Sequence, residues 1–228
     1  MPIQYILFDL DDTLYDYGSG LFKEVGARIE AWVCQKLALT PEEAKALRRE
    51  YFEAYGTTMM GLRHHHPELD IDDYLDYVHE VDVSGRLTPR PDLDTMLAAL
   101  PATKGIFTNG IASWADRILR QMGIRQYFGP IIDVRATDYR GKPWPEAYQR
   151  ALDLLGCDGA ACVLVDDQPR NLEQAAAFGM RTVLVRPGGQ VGPGVDFAVD
   201  AIEETGAVLR ELVNGNWGLG IGHLTPNP

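Results

Sequence analysis

The chain has 228 residues, enough for one sizeable core or for a core and a small second domain. A hydrophobic share of 46% and a charged share of 24% are those of an ordinary globular protein, and a formal net charge of -12 excludes the basic footprint that nucleic-acid polymers or anionic membranes require. No apolar run approaches a membrane span and the N-terminus carries no basic n-region, so the expected location is the cytoplasm.

Tyr5-Ile-Leu-Phe8 is a short apolar run that ends in carboxylates. Similar runs occur at Gly105–Phe107, Ile131-Ile132, Cys162–Val165 and Thr182–Val185, with helical periods between most of them. That alternation predicts an α/β fold: a doubly wound, Rossmann-like parallel sheet with helices on its faces. The stretch from Gly18 to about Ser84 breaks the pattern, because it holds only helices. Leu21, Val25, Ile29 and Trp32 form a first stripe. Thr40-Pro41-Glu42-Glu43 reads as an N-cap, a first-turn proline and a capping box, followed by the stripe Ala44, Leu47, Tyr51 and Tyr55 and a stop at Gly56. A third helix carries Ile71, Tyr74, Leu75 and Val78. Such an insertion is too long for a loop and predicts a small helical cap domain over 18–85, with the sheet domain formed by 1–17 and 86–213. Pro89 and Pro91 mark the return to the sheet, and the turn-rich segment 214–228 is expected to be a mobile tail.

Four motifs carry chemistry, each beside a predicted strand or helix end. Phe8-Asp9-Leu10-Asp11-Asp12-Thr13-Leu14 gathers three carboxylates at one strand end, where unpaired charge is costly unless a divalent cation joins them. Phe107-Thr108-Asn109-Gly110 places a hydroxyl and an amide before a helix with Trp114, Ile118 and Leu119, a position suited to phosphate, although Thr-Asn-Gly is also a common turn. Gly141-Lys142-Pro143 precedes a helix with Ala147, Tyr148, Ala151 and Leu152. Val165-Asp166-Asp167 is a second acidic pair at a strand end; alone it would read as a helix N-cap before Pro169, Leu172, Ala175 and Ala176. Two acidic strand ends strengthen the metal reading well beyond either one.

The order D-x-D-x-T, Thr, Lys, acidic pair resembles the four motifs of the haloacid dehalogenase superfamily over Ile3 to about Arg186, and the helical insertion resembles its first type of cap. Glu50-Tyr51, Tyr55-Gly56-Thr57-Thr58-Met59-Met60-Gly61-Leu62, Tyr74–His79, the first motif through Tyr15 and Ile106–Gly110 resemble the pyrimidine 5'-nucleotidase family. The resemblance implies strand order 5-4-1-2-3 and a magnesium-dependent phosphatase. Asp9 would be the nucleophile and Asp11 the acid and base. Magnesium would be held by Asp9, the Asp11 carbonyl, Asp167 directly and Asp166 through water. Thr108, Asn109 and Lys142 would hold the phosphoryl oxygens. Asn171 would support Lys142 or the metal shell, Thr13 would be structural, and Asp12 a turn or outer residue. Trp144 departs from the family pattern and reads as a packed aromatic.

The expected substrate is a small phosphorylated metabolite, with pyrimidine nucleoside monophosphates leading and nicotinamide mononucleotide or sugar phosphates behind. Dehalogenase, phosphomutase and phospho-receiver readings are weaker: the first does not use Asp11, the second needs a bisphosphate primer, and the third places its acceptor on the third strand. Thr57 and Thr58, taken as a turn free of helical packing, are the expected readers of the base. His64-His65-His66 is expected in a solvated loop, His79 as a packed or capping residue, and Met59 and Met60 as core or pocket lining. Cys34, Cys157 and Cys162 are read as reduced thiols without a disulfide framework.

Overall fold

A computed structural model describes residues 2–215 of the chain. The elements run β1 (Tyr5–Phe8), α1 (Leu21–Leu37), α2 (Pro41–Tyr55), α3 (Thr58–His65), α4 (Ile71–Val78), α5 (Pro91–Ala99), β2 (Thr103–Phe107), α6 (Ala112–Gln121), β3 (Phe128–Ile132), α7 (Pro145–Leu155), β4 (Cys162–Asp166), α8 (Pro169–Ala177), β5 (Arg181–Val185), β6 (Phe197–Val199) and α9 (Thr205–Val213). Strands pair in the order β3-β2-β1-β4-β5-β6, all parallel. The expected order is contained in this, with β6 added at one edge. Three residues are too few to show a strand period, which is why β6 escapes the sequence reading.

Alternation along the strands explains the layers. Ile6, Phe8, Val163, Val165 and Val183 face one core with Trp114, Ile118 and Leu209. Leu7, Phe107, Leu164 and Leu184 face the other with Ala147, Tyr148 and Leu172. A sheet buried on both faces needs apolar residues at successive positions, so the strands read as continuous runs. The C-terminal ends of β1, β2 and β4 then lie side by side, at the point where the chain order reverses across the sheet.

Helices α1–α4 fall between β1 and α5. Thr40 makes the predicted capping box: its hydroxyl accepts from Glu43 N at 3.3 Å, while the Glu43 carboxylate accepts from Thr40 N at 2.8 Å. Helix α3 corrects two expectations. Thr57 is its N-cap, accepting from Met60 N at 3.1 Å, and Thr58 is its first residue, so this segment is not a free turn. His64 and His65 belong to its last turn, not to a loop; His65 Nε2 lies 2.7 Å from Tyr55 Oη and His66 Nε2 3.3 Å from Tyr51 Oη. Thr58 through Leu62 are all buried, so α3 has no polar stripe for a period to reveal. Gly61 lies against Tyr51, where a Cβ would fall 2.2 Å from the ring.

Of the expected tail, all but Asn214 and Gly215 lies outside the described residues. No helix among the described residues is long and apolar enough to cross a membrane. The three cysteines are free, with Cys157 Sγ 3.5 Å from Cys162 Sγ.

Replacing Thr40 by Ala removes one side of the capping box. The expected loss is about 1 kcal/mol, read as a fall in Tm of roughly 2–4 °C for a chain of this size. An unchanged Tm would show that α2 is held by packing alone.

Candidate active site

Asp9 follows β1, Thr108 follows β2 and Asp166 closes β4, so the sheet itself brings the first, second and fourth motifs together. Lys142 arrives from the loop before α7. Its ammonium lies 2.8 Å from Asp9 Oδ1 and 2.6 Å from Asp166 Oδ2, and its side chain is 1% exposed. Burial disfavours that charge, but Asp166 and Asp9 more than reverse the effect and push the ammonium up, keeping it protonated. Burial pushes the Asp9 carboxyl well above its usual range; Lys142 opposes this, while Asp166, Asp167 and Asp11 add to it.

The two acidic residues after β4 differ in their surroundings. Asp166 accepts from Lys142 Nζ, from Gln168 N at 2.8 Å, and from Asn171 Nδ2 at 2.9 and 3.1 Å. Asn171 thus supports Asp166 and not Lys142. Asp167 has a longer contact from Thr13 Oγ1 at 3.5 Å and a short one from the Gln168 amide. Burial and Asp166 push Asp167 up to about 6. Thr13 also donates to Asp9 Oδ2 at 3.3 Å, the structural part expected of it.

Asp11 is held by two residues that motif reading does not supply. Trp114 Nε1 donates to Asp11 Oδ1 at 2.9 Å, and Tyr15 Oη donates to the same oxygen. Tyr15 stands four residues after Asp11, a spacing the first motif displays; Trp114 comes from α6 across the fold and leaves no local signal. Asn109 spends both ends of its amide on the Lys142 backbone, at 2.6 and 2.9 Å, so its side chain positions the lysine loop. Thr108 Oγ1 accepts from Gly110 N at 3.0 Å. The helix behind this motif runs from Ala112, with Ile111 as its N-cap, and contains Trp114, Ile118 and Leu119 as expected.

Asp9, Asp166 and Asp167 present oxygens that all lie within 4.8 Å of one another. Asp12, at φ 60, has a buried Oδ1 without a partner among the described residues. Burial, then Asp167, Asp11 and Asp16, push Asp12 up to about 7. Three carboxylates with oxygens this close, and an orphaned oxygen on Asp12, are donors that fit a hard divalent cation.

Asp9, Asp11, Asp12, Thr108 and Asp167 line a cavity of about 710 Å³ that continues between α1, α2, α3 and α4. Its far part is lined by Val25, Ile29, Phe52, Met59, Tyr74 and Val78. Thr57 and Thr58 also line it; the Thr58 hydroxyl donates to Arg48 O at 3.5 Å. His79 is buried at the end of α4, as a capping residue, with Nδ1 2.7 Å from Leu75 O. Burial holds it below the usual histidine range.

The sheet domain grips the insertion at several points. Arg170 of α8 donates to Phe52 O and Gly56 O, both at 3.0 Å, and stacks on Phe52. Trp144 donates to Tyr55 O at 2.5 Å, so it is a strut and not only a packed ring. Gly56, at φ 85, comes so close that a Cβ would fall 2.5 Å from Pro143 Cδ. Arg135 pairs with Asp72 and Asp76, each at 2.7 Å.

The family model for haloacid dehalogenase-like hydrolases matches residues 3–179. The chain belongs to that family. It is 32% identical over 154 residues to a plasmid-encoded phosphoglycolate phosphatase of Cupriavidus necator, covering 63% of this chain and 66% of that one. It is 25% identical over 229 residues to the glyceraldehyde 3-phosphate phosphatase of Methanocaldococcus jannaschii, covering 92% and 98%. Among solved structures, a phosphatase of the family from Thermococcus onnurineus has a TM-score of 0.59 at 19% identity, over 91% of this chain and 98% of that one. The L-2-haloacid dehalogenase of Xanthobacter autotrophicus has a TM-score of 0.57 at 19% identity, over the same shares. These structural likenesses describe the fold of this family member.

The raised carboxyls have a consequence for stability. Metal-free protein holds protons on Asp12 and Asp167 that the unfolded chain, with values of about 4, has already released. The stability these two protons contribute is therefore fully present below about pH 4 and is lost as pH rises through about 6 and about 7. In EDTA, Tm should fall across that window, and Asp12→Asn should flatten its upper part. A Tm that rises from pH 5 to pH 8 would contradict the charge balance described.

Proposed function

We propose that this chain is a magnesium-dependent phosphomonoester hydrolase that works through a phosphoryl group on Asp9. The observation that carries the reading is the buried Lys142 ammonium between Asp166 and Asp9, the latter lining the cavity. Asp9 attacks phosphorus and the bond to the leaving oxygen breaks. Asp11, oriented by Trp114 and Tyr15, gives a proton to the leaving alkoxide and then takes one from the water that attacks phosphorus, as the bond from phosphorus to Asp9 breaks, the carboxylate is restored and inorganic phosphate leaves. Lys142 and Thr108 face the oxygens on which charge develops, while Asn109 holds the Lys142 loop in place.

Magnesium would be held by Asp9, the Asp11 carbonyl and Asp167. Asp166, whose two oxygens already accept from Lys142, Gln168 and Asn171, stands behind Asp167. Asp12 Oδ1 suits a water of the hydrated ion. When bound, the cation offsets the negative charge of the carboxylates and the phosphoryl group.

The insertion 18–85 is proposed to act as the cap domain, and the enzyme to work in the cytoplasm on a soluble small metabolite, without a nucleic-acid polymer or membrane as partner. Pyrimidine nucleoside monophosphates lead as substrates on the sequence resemblance; the named relatives act on phosphoglycolate and glyceraldehyde 3-phosphate. A dehalogenase would leave the two donors on Asp11 without a purpose. A phospho-receiver does not match an acceptor after β1 followed by four helices.

Purified protein should hydrolyse p-nitrophenyl phosphate with magnesium, lose activity to EDTA and regain it on adding magnesium. Asp9→Asn should lower turnover by at least a thousandfold with Tm and circular dichroism retained, because an amide cannot act as the nucleophile. Full activity after exhaustive chelation, or in the folded Asp9→Asn protein, would overturn the reading.

A further inference from the structure

The far part of the cavity holds an unused hydroxyl. Tyr74 lies on α4 at 3% exposure, its ring edge-on to Trp32 with centroids 5.1 Å apart. It lines the cavity, and its Oη has no hydrogen-bond partner among the described residues. The neighbouring hydroxyls are already engaged: Thr57 accepts from Met60 N and Thr58 donates to Arg48 O. The same cavity is lined by the aliphatic Val25, Ile29, Leu75 and Val78, and from α2 by Arg48 and Arg49, with Arg48 close enough to act on the Tyr74 phenol.

The Tyr74 hydroxyl is open to the cavity, unlike the sealed and unpartnered Asp12 Oδ1 and Arg170 Nε, so a group bound in the cavity can pair with it. A two-carbon leaving group such as glycolate would fill only a small share of a cavity of about 710 Å³. We propose that Tyr74 is the specificity-determining residue of the site, and that it selects a ring-bearing leaving group with a hydrogen-bonding atom on its far edge. The flat body of that group lies against Val25, Ile29 and Val78, and its edge meets Tyr74 Oη. Burial pushes the Tyr74 phenol far above its usual range, so it stays protonated and can donate. The inference rests on the phosphatase reading above and narrows it.

The test measures kcat/KM for phosphoglycolate, glyceraldehyde 3-phosphate, phenyl phosphate and uridine 5'-monophosphate. The wild-type protein should prefer the ring-bearing esters over phosphoglycolate by at least tenfold. Tyr74→Phe should lower the ratio of uridine 5'-monophosphate to phenyl phosphate about tenfold, through KM more than kcat, since only the former carries a polar ring edge. Ile29→Trp, which narrows the apolar part, should lower both ring-bearing esters relative to phosphoglycolate and keeps the test open if Tyr74→Phe does not fold. Equal or better turnover of phosphoglycolate, or an unchanged ratio in folded Tyr74→Phe, would overturn the assignment of Tyr74 while leaving the phosphatase reading in place. Failure to hydrolyse any of the four esters would instead remove the phosphatase reading and this inference with it.

Discussion

The site depends on one buried contact, the Lys142 ammonium held between Asp9 and Asp166. Taking these charges out of water is expensive, and the structure meets the expense by surrounding each with partners. Asp166 is saturated by Lys142, Gln168 N and Asn171. The lysine loop is pinned by Asn109. With Asp166 and Lys142 so committed, Asp9, Asp167 and Asp12 leave an excess of negative charge on the wall of the cavity. Removing Lys142 would leave that excess without the cation that contacts Asp9 and Asp166. A phosphoryl group and a divalent ion are the kind of pair this balance accepts, because each carries charge the other offsets.

The same strand ends tie chemistry to selection. Arg170 stands four residues after Asp166 and grips the carbonyls at the end of α2. Trp144 stands two residues after Lys142 and grips Tyr55 O. Two of the four motifs therefore continue directly into contacts with the helical insertion. Its position over the cavity follows from the loops that hold the carboxylates and the lysine. Gly56 allows this approach, since any side chain there would meet Pro143. Arg135, through Asp72 and Asp76, fixes α4, the helix that bears Tyr74.

Much of this was legible in the sequence, for definite physical reasons. Strands buried on both faces write themselves as apolar runs, so β1, β2, β4 and β5 stand out, and charged residues at the ends of such runs mark Asp9 and the Asp166-Asp167 pair. Capping chemistry is local, so Thr40 and Glu43 announce α2. What escaped was either too uniform or too distant. Helix α3 is buried nearly all round and shows no stripe, which turned Thr57 and Thr58 into a supposed free turn. Trp114 reaches Asp11 from across the fold, and Arg170 reaches α2 from α8; no spacing along the chain encodes either contact. Asn109 was assigned to the phosphoryl oxygens because motifs record neighbours at a strand end, not which atom each side chain meets. Tyr74 was read correctly as part of a buried stripe, yet its hydroxyl acquires meaning only beside the cavity that α1 and α2 complete.

The central claim is that the phosphoryl group passes to Asp9 while Asp11 serves the proton transfers on either side. Asp11→Asn separates the two halves when the leaving group is a good one, because p-nitrophenolate leaves without a proton and the attacking water then lacks its base. Acid-quenched Asp11→Asn protein, mixed with p-nitrophenyl phosphate and magnesium, should carry a phosphoryl group on the peptide that contains Asp9, located by mass spectrometry. Release of nitrophenol by that variant with no phosphoryl group on Asp9, or with the group on another residue, would contradict the account.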